Sequence, residues 1–209
     1  MEKYIYQTPE LEVEREKYRI EISVLESTEG WIELSDGQKE ILRVTLYLQT
    51  RAQRDMDPDH KNDPWYYDWF RRDKQYTPKY QESLKNIKRW CCHTAVQSLE
   101  NVDLSGEYPK DPPINFFDAD YTSIKSIDGL VEAVESIGFP AVVHISMKPK
   151  NKTGRAQQCH SFVIMGHNKS NNLIVWEKQD FHLPYRVTTL IDVYEQYRAI
   201  EFWGIRKLR

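Results

Sequence analysis

The chain has 209 residues, 40% of them hydrophobic and 29% charged, which is ordinary for a folded protein and argues against disorder. A formal net charge of −3 gives no electrostatic reason to expect nucleic acid or an anionic membrane as partner. No run of about 18 apolar residues occurs, and residues 1–20 are studded with Glu, Lys and Arg, so neither a membrane span nor a signal peptide is expected. Three cysteines, Cys91, Cys92 and Cys159, are a poor disulfide framework, and a reducing, cytoplasmic location is expected.

The first part of the chain alternates apolar and polar residues through Arg19–Val24 (Ile20, Ile22, Val24) and again at Leu42, Val44, Leu46 and Leu48. Period-2 alternation predicts half-buried strands. With Asp36-Gly37 as a hairpin turn, residues 1–53 are expected to form an antiparallel β meander, a helix over 38–53 being the competing assignment. Residues 54–77 follow as a loop rich in Pro and Asp and a connector mixing aromatic and basic side chains, Trp65 to Tyr76. Its acidic run departs from a calcium loop in having His60 where the turn glycine belongs, and Tyr66 where the bidentate Glu belongs.

Residues 78–209 are expected to form an α+β core. Pro78 suits the first turn of a helix. Further helices are predicted over Cys92–Glu100, Asp128–Ser136 and about Ile191–Arg198, and strands over Ala141–Met147, Ser161–Gly166, Leu173–Glu177, Arg186–Thr188 and Ile200–Ile205. Two readings of 78–100 stand side by side. In one, a helix begins at Trp90–Cys92; in the other, a single helix runs through, because no Gly or Pro separates Tyr80 from Cys92.

The chemistry lies in an ordered Cys, His and Glu. A cysteine at a helix start is favoured as thiolate by free N–H groups and the helix dipole, and the same N–H groups can hold an oxyanion. Cys92 shares the face of Val96 and Leu99, which prefers it over Cys91 as nucleophile. His160 opens an apolar strand, and Leu173–Glu177 is the returning strand. A register that sets Ile164 opposite Leu173 sets His160 opposite Glu177, where a carboxylate can fix the imidazole tautomer. A zinc site is disfavoured by the absence of Cys-x-x-Cys or His-x-x-x-His spacing among Cys91, Cys92, His93, Cys159 and His160.

In this order the segment 86–209 resembles the papain-like cysteine peptidases, in particular the compact bacterial branch that includes cell-wall amidases. The resemblance implies a papain-like core of a helix followed by an antiparallel sheet, with Cys92 as nucleophile, His160 as base and Glu177 as orienter. It also implies Asn86 or Gln158 as oxyanion candidates. Trp90, His93 and Trp176 are expected to line a substrate groove. The sequence lacks a Gly-Ser-Cys-Trp or Asp-Cys-Ser signature around the cysteine. The expected function is hydrolysis or acyl transfer on a peptide, protein or other amide or ester, with no cofactor, no nucleic acid and no membrane as partner. The alternative is a non-catalytic interaction module that docks partners on the aromatic segment Trp65–Tyr76.

Overall fold

The computed structural model describes residues 9–47, 92–100, 123–148, 157–179, 185–199 and 201–209. They form an α+β structure built on one five-stranded antiparallel sheet, β1 (Ala141–Lys148), β2 (Gln157–His167), β3 (Leu173–Lys178), β4 (Tyr185–Thr189) and β5 (Glu201–Lys207), in the order β4-β3-β2-β1-β5. Helices cover both faces: α1 (Pro9–Glu26), α2 (Glu29–Glu33), α3 (Asp36–Tyr47) and α4 (Cys92–Glu100) on one, α5 (Ile127–Ile137) and α6 (Leu190–Tyr197) on the other. Such double cover explains why β2 and β3 read as continuous apolar runs instead of alternating ones. Alternate side chains of β2 then divide between two cores: Val163 and Met165 pack with α1–α4, Phe162 and Ile164 with α5 and α6.

The expected N-terminal meander is replaced by helices. Among the described side chains of α1 the buried ones are Tyr18, Ile22 and Leu25, spaced four and three apart, whereas Ile20, essential to the strand pattern, is 55% exposed. Among the described side chains of α3 the buried set is Gln38, Ile41, Leu42, Thr45 and Leu46, again a helical stripe. Asp36-Gly37 is not a hairpin turn but the first turn of α3. Ser35 and Gln38 explain why. The Gln38 N–H donates to Ser35 Oγ at 3.2 Å and the Ser35 N–H donates to Gln38 Oε1 at 2.9 Å, a reciprocal capping box. The expected helix from Pro78 and the aromatic connector Trp65–Tyr76 lie outside the described residues.

The helical layer seats tightly on the sheet. At Gly30, in α2, a Cβ would stand 2.4 Å from the Met165 carbonyl oxygen of β2, so only glycine permits this approach. Helix α4 crosses the sheet: its first turn reaches β2 through His93 and Ser161, and its last residue, Glu100, pairs with Arg206 of β5, 2.7 Å from Oε2 to Nη2. On the other face α5 starts at Ser126, whose Oγ accepts the Gly129 N–H at 3.1 Å, and α6 starts at a Thr189–Asp192 capping box. No helix among the described residues is long and apolar enough to cross a membrane.

Gln38 has a second task. Its Nε2 donates to the Leu99 carbonyl at 3.1 Å and the Arg209 carbonyl at 2.8 Å, tying α3 to the end of α4 and to the C-terminus. Gln38→Ala strands both carbonyls and removes half the cap, so it is expected to destabilise the fold by ~2 kcal/mol. Urea denaturation followed by circular dichroism checks this, and the conservative Gln38→Glu variant, which keeps the cap acceptor but not the donor, should fall between.

Candidate functional site

The hairpin β2–β3 places the central pair. Asn168 Oδ1 accepts the N–H groups of Ser170 and Asn172 at 2.9 and 3.0 Å, and Asn171 takes the left-handed conformation (φ 61°), closing the turn tightly enough for His167 to pair with Leu173. A bulge between Ile164 and Gly166 follows, after which Ile164 faces Val175 and Phe162 faces Glu177. The pairing is therefore displaced by two residues from the expected register. A two-residue displacement keeps the same faces together, so His160 and Glu177 become diagonal neighbours. His160 Nε2 lies 2.5 Å from Glu177 Oε2.

This pair is dry. His160 is 2% exposed and Glu177 0%. A carboxylate accepts hydrogen bonds only, so Nε2 carries the proton toward it, and Nδ1 is the ring nitrogen not committed to Glu177. Arg186, directly opposite Glu177 on β4, donates from Nε to Oε1 at 2.5 Å, and its Nη2 also donates to Gln196 Oε1 of α6 at 2.6 Å. The guanidinium supplies the positive charge that a fully buried carboxylate requires. Tyr197, at the end of α6, stacks on the His160 ring with centroids 4.4 Å apart.

Cys92, 8% exposed, is the first described residue of α4. Burial pushes the Tyr197 hydroxyl well above the ordinary phenol range, and the negative charges of Glu177 and Cys92 push it further. One phenol thus senses both the candidate nucleophile and the carboxylate, while its ring covers the candidate base. The expected helix break before Cys92 lies outside the described residues, as do Cys91, Asn86 and Trp90.

The neighbouring residues of β2 point the other way, toward α4. Ser161 Oγ stands between two imidazoles, hydrogen-bonded to His93 Nδ1 and, at 2.5 Å, to His144 Nδ1. His93 Nε2 lies 3.2 Å from Cys159 Sγ. His144 stacks on Trp203 with centroids 4.7 Å apart, and the Trp203 indole N–H donates to Ser146 Oγ at 3.1 Å. Burial, then the charge of His160, holds His93 down to about 4; burial, then the charges of His93, Arg206 and His160, holds His144 down to about 3. Both rings are therefore neutral near pH 7.

The remaining expected site residues fall as follows. Trp176 is no groove wall: it is fully buried on the helical face, donates its indole N–H to Thr45 Oγ1 at 3.1 Å and stacks on Tyr185. Its position one residue before Glu177 on a strand sends it to the opposite face. His93 faces the Ser161–Cys159 cluster, and Gln158 belongs to β2 by its backbone. Arg186 and Tyr197 were not singled out from the sequence. The only sequence signal for Arg186 was its distance across a second hairpin from Glu177, and Tyr197 carried none beyond its place in an amphipathic helix. Among the described residues no group of three or more His, Cys, Asp or Glu side chains is arranged to hold a metal ion. No protein-family model, no curated protein and no solved structure matches the chain.

The two depressed histidines set the acid response. An unfolded histidine takes up its proton near pH 6.5, whereas His93 and His144 resist protonation until about 4 and 3. Their contribution is therefore present above pH 6.5 and is lost as pH falls below it. Stability is expected to decline by at most about 1.4 kcal/mol per pH unit for each ring between pH 6.5 and 4. Urea midpoints measured across that range check it, and His144→Gln should reduce the slope by the share of one ring.

Proposed function

We propose that the chain is a thiol-dependent hydrolase or acyltransferase acting on an amide or ester, with Cys92 as nucleophile, His160 as base and Glu177 as orienting carboxylate. The α4–sheet unit is, on this proposal, a papain-like core. The observation that carries it is the buried His160–Glu177–Arg186 chain, roofed by Tyr197, whose hydroxyl also feels the charge of Cys92. A buried glutamate is retained against a heavy desolvation penalty, and holding a single histidine tautomer is a use that repays it. Structural ion pairs can also be buried, but they have no need of an imidazole that leaves one nitrogen uncommitted.

In the proposed reaction Cys92 Sγ attacks the carbonyl carbon while its proton passes to His160 Nδ1. Glu177 accepts from Nε2–H throughout and stabilises the imidazolium that forms, and Arg186 keeps Glu177 in place. The C–N or C–O bond then breaks as His160 returns the proton to the leaving nitrogen or oxygen. Water, or an amine in a transfer reaction, attacks the thioester, giving up its proton to His160, and releases Cys92. The Cys92 N–H, with Gln158 or Asn86, is the proposed oxyanion support. Tyr197 excludes water from the imidazole face and restricts its rotation.

Acylation by p-nitrophenyl acetate tests this with a substrate of minimal demands. Wild type should release nitrophenolate with an acetyl group retained on Cys92, identified by peptide mass spectrometry. Cys92→Ala should lose the adduct, His160→Ala should slow its formation by ~10²-fold or more, and Glu177→Gln by a smaller factor. Undiminished acylation of Cys92 in folded His160→Ala would refute the assignment of the base.

A further inference from the structure

We propose that Cys159 is a second reactive thiol, served by His93 as its base, which exchanges with small aliphatic disulfides to form a mixed disulfide. It is distinct from the site above. Cys159 and His160 are consecutive on a strand, so their side chains leave the sheet on opposite faces, and the His93 that contacts Cys159 comes from α4.

Four side chains form a chain here: Cys159 Sγ, His93, Ser161 Oγ and His144. Ser161 has a single hydroxyl proton, yet Nδ1 of each ring is directed at its oxygen. With both rings neutral, the oxygen donates to one nitrogen and accepts an N–H from the other. The tautomers of His93 and His144 are therefore coupled. When His144 Nδ1 accepts from Ser161, His93 Nδ1–H donates to it, and His93 Nε2 presents a lone pair to Cys159 Sγ at 3.2 Å. In that arrangement a half-buried imidazole faces a thiol as an acceptor, which is the geometry of general-base assistance. Cys159 is only half-buried, while Ser161 and His144 behind it are closed off from solvent. The Cys159–His93 end, where both side chains are partly exposed, is thus the end of this chain of groups that can meet a reagent.

The step balances without any further reactant. As Cys159 Sγ attacks one sulfur of the disulfide, its proton passes to His93 Nε2 and the S–S bond breaks. The departing thiolate takes that proton back from His93, leaving Cys159–S–S–R and one molecule of free thiol. Ser161 and His144 act as positioning residues: they fix the tautomer of His93 and do not touch the reagent.

The probe is bis(2-hydroxyethyl) disulfide at pH 7 on the full chain, with adduct formation at Cys159, Cys91 and Cys92 followed separately by peptide mass spectrometry. Wild type should acquire the adduct at Cys159, and Cys92→Ala should acquire it there at the same rate, so failure of the acyl-transfer proposal leaves this one standing. His93→Gln should slow it by about a hundredfold. Ser161→Ala, which keeps the base and removes only its orienter, should slow it by about tenfold and leave both imidazoles with altered ring-nitrogen NMR shifts. Absence of the adduct from Cys159 in wild type, or wild-type rates in both folded variants, would overturn the proposal. If His93→Gln does not fold, the rate in Ser161→Ala decides alone.

Discussion

A carboxylate sealed in an apolar sheet is the constraint around which the candidate site is organised. Glu177 is completely buried, and moving an unpaired carboxylate into such surroundings would be prohibitive. It is tolerated because β4 sets Arg186 directly opposite and β2 sets His160 on its diagonal. Each partner needs the hairpin register, so the bulge at Ile164–Gly166 and the Asn168–Asn172 turn govern the chemistry as much as the ionisable groups do. The strand ends that bear these groups are in turn roofed by α6, whose Tyr197 lies on the imidazole.

The double-sided cover of the sheet has a chemical consequence. Because successive β2 residues face opposite layers, one strand serves two polar clusters within three residues: His160 toward α6, Cys159 and Ser161 toward α4. The first contains an anion and a permanent cation, while the second contains neutral imidazoles held neutral by burial. Charge repulsion between them appears in the histidines themselves, since His160 helps to hold down both His93 and His144. Helix α4 contributes to both sides, with Cys92 sensed by Tyr197 and His93 hydrogen-bonded to Ser161.

Much of residues 92–209 was legible from the sequence because burial on both faces imposes long apolar runs bounded by turn residues. Cys92–Glu100 is helical as expected, and the helix ending at Gly138, the five strands and α6 stand within a few residues of their expected limits. The nearness of Glu177 to His160 was also readable, though through an incorrect register; side-chain period 2 forgives a displacement of two and would not have forgiven one. The N-terminal helices were misread because Ile20, Ile22 and Val24 alternate by composition alone. The burial that matters is that of Tyr18, Ile22 and Leu25, and the Ser35-x-x-Gln38 capping signature outranks Asp36-Gly37 as a turn signal. Arg186 and the Ser161–His144 contact depend on strand order and on which face each residue takes, neither of which a linear pattern contains.

What unites these features is the claim that the buried His160–Glu177 pair makes Cys92 an activated thiol. Its most direct test is the rate of Cys92 alkylation by iodoacetamide at pH 6, resolved from Cys91 and Cys159 by peptide mass spectrometry, in wild type and in His160→Ala. An ordinary thiol with a pKa near 8.5 is almost wholly protonated at that pH. Alkylation of Cys92 should be rapid in the wild type and fall to the rate of an ordinary thiol in the variant. Equal, slow alkylation in both proteins, each shown to be folded, would contradict it.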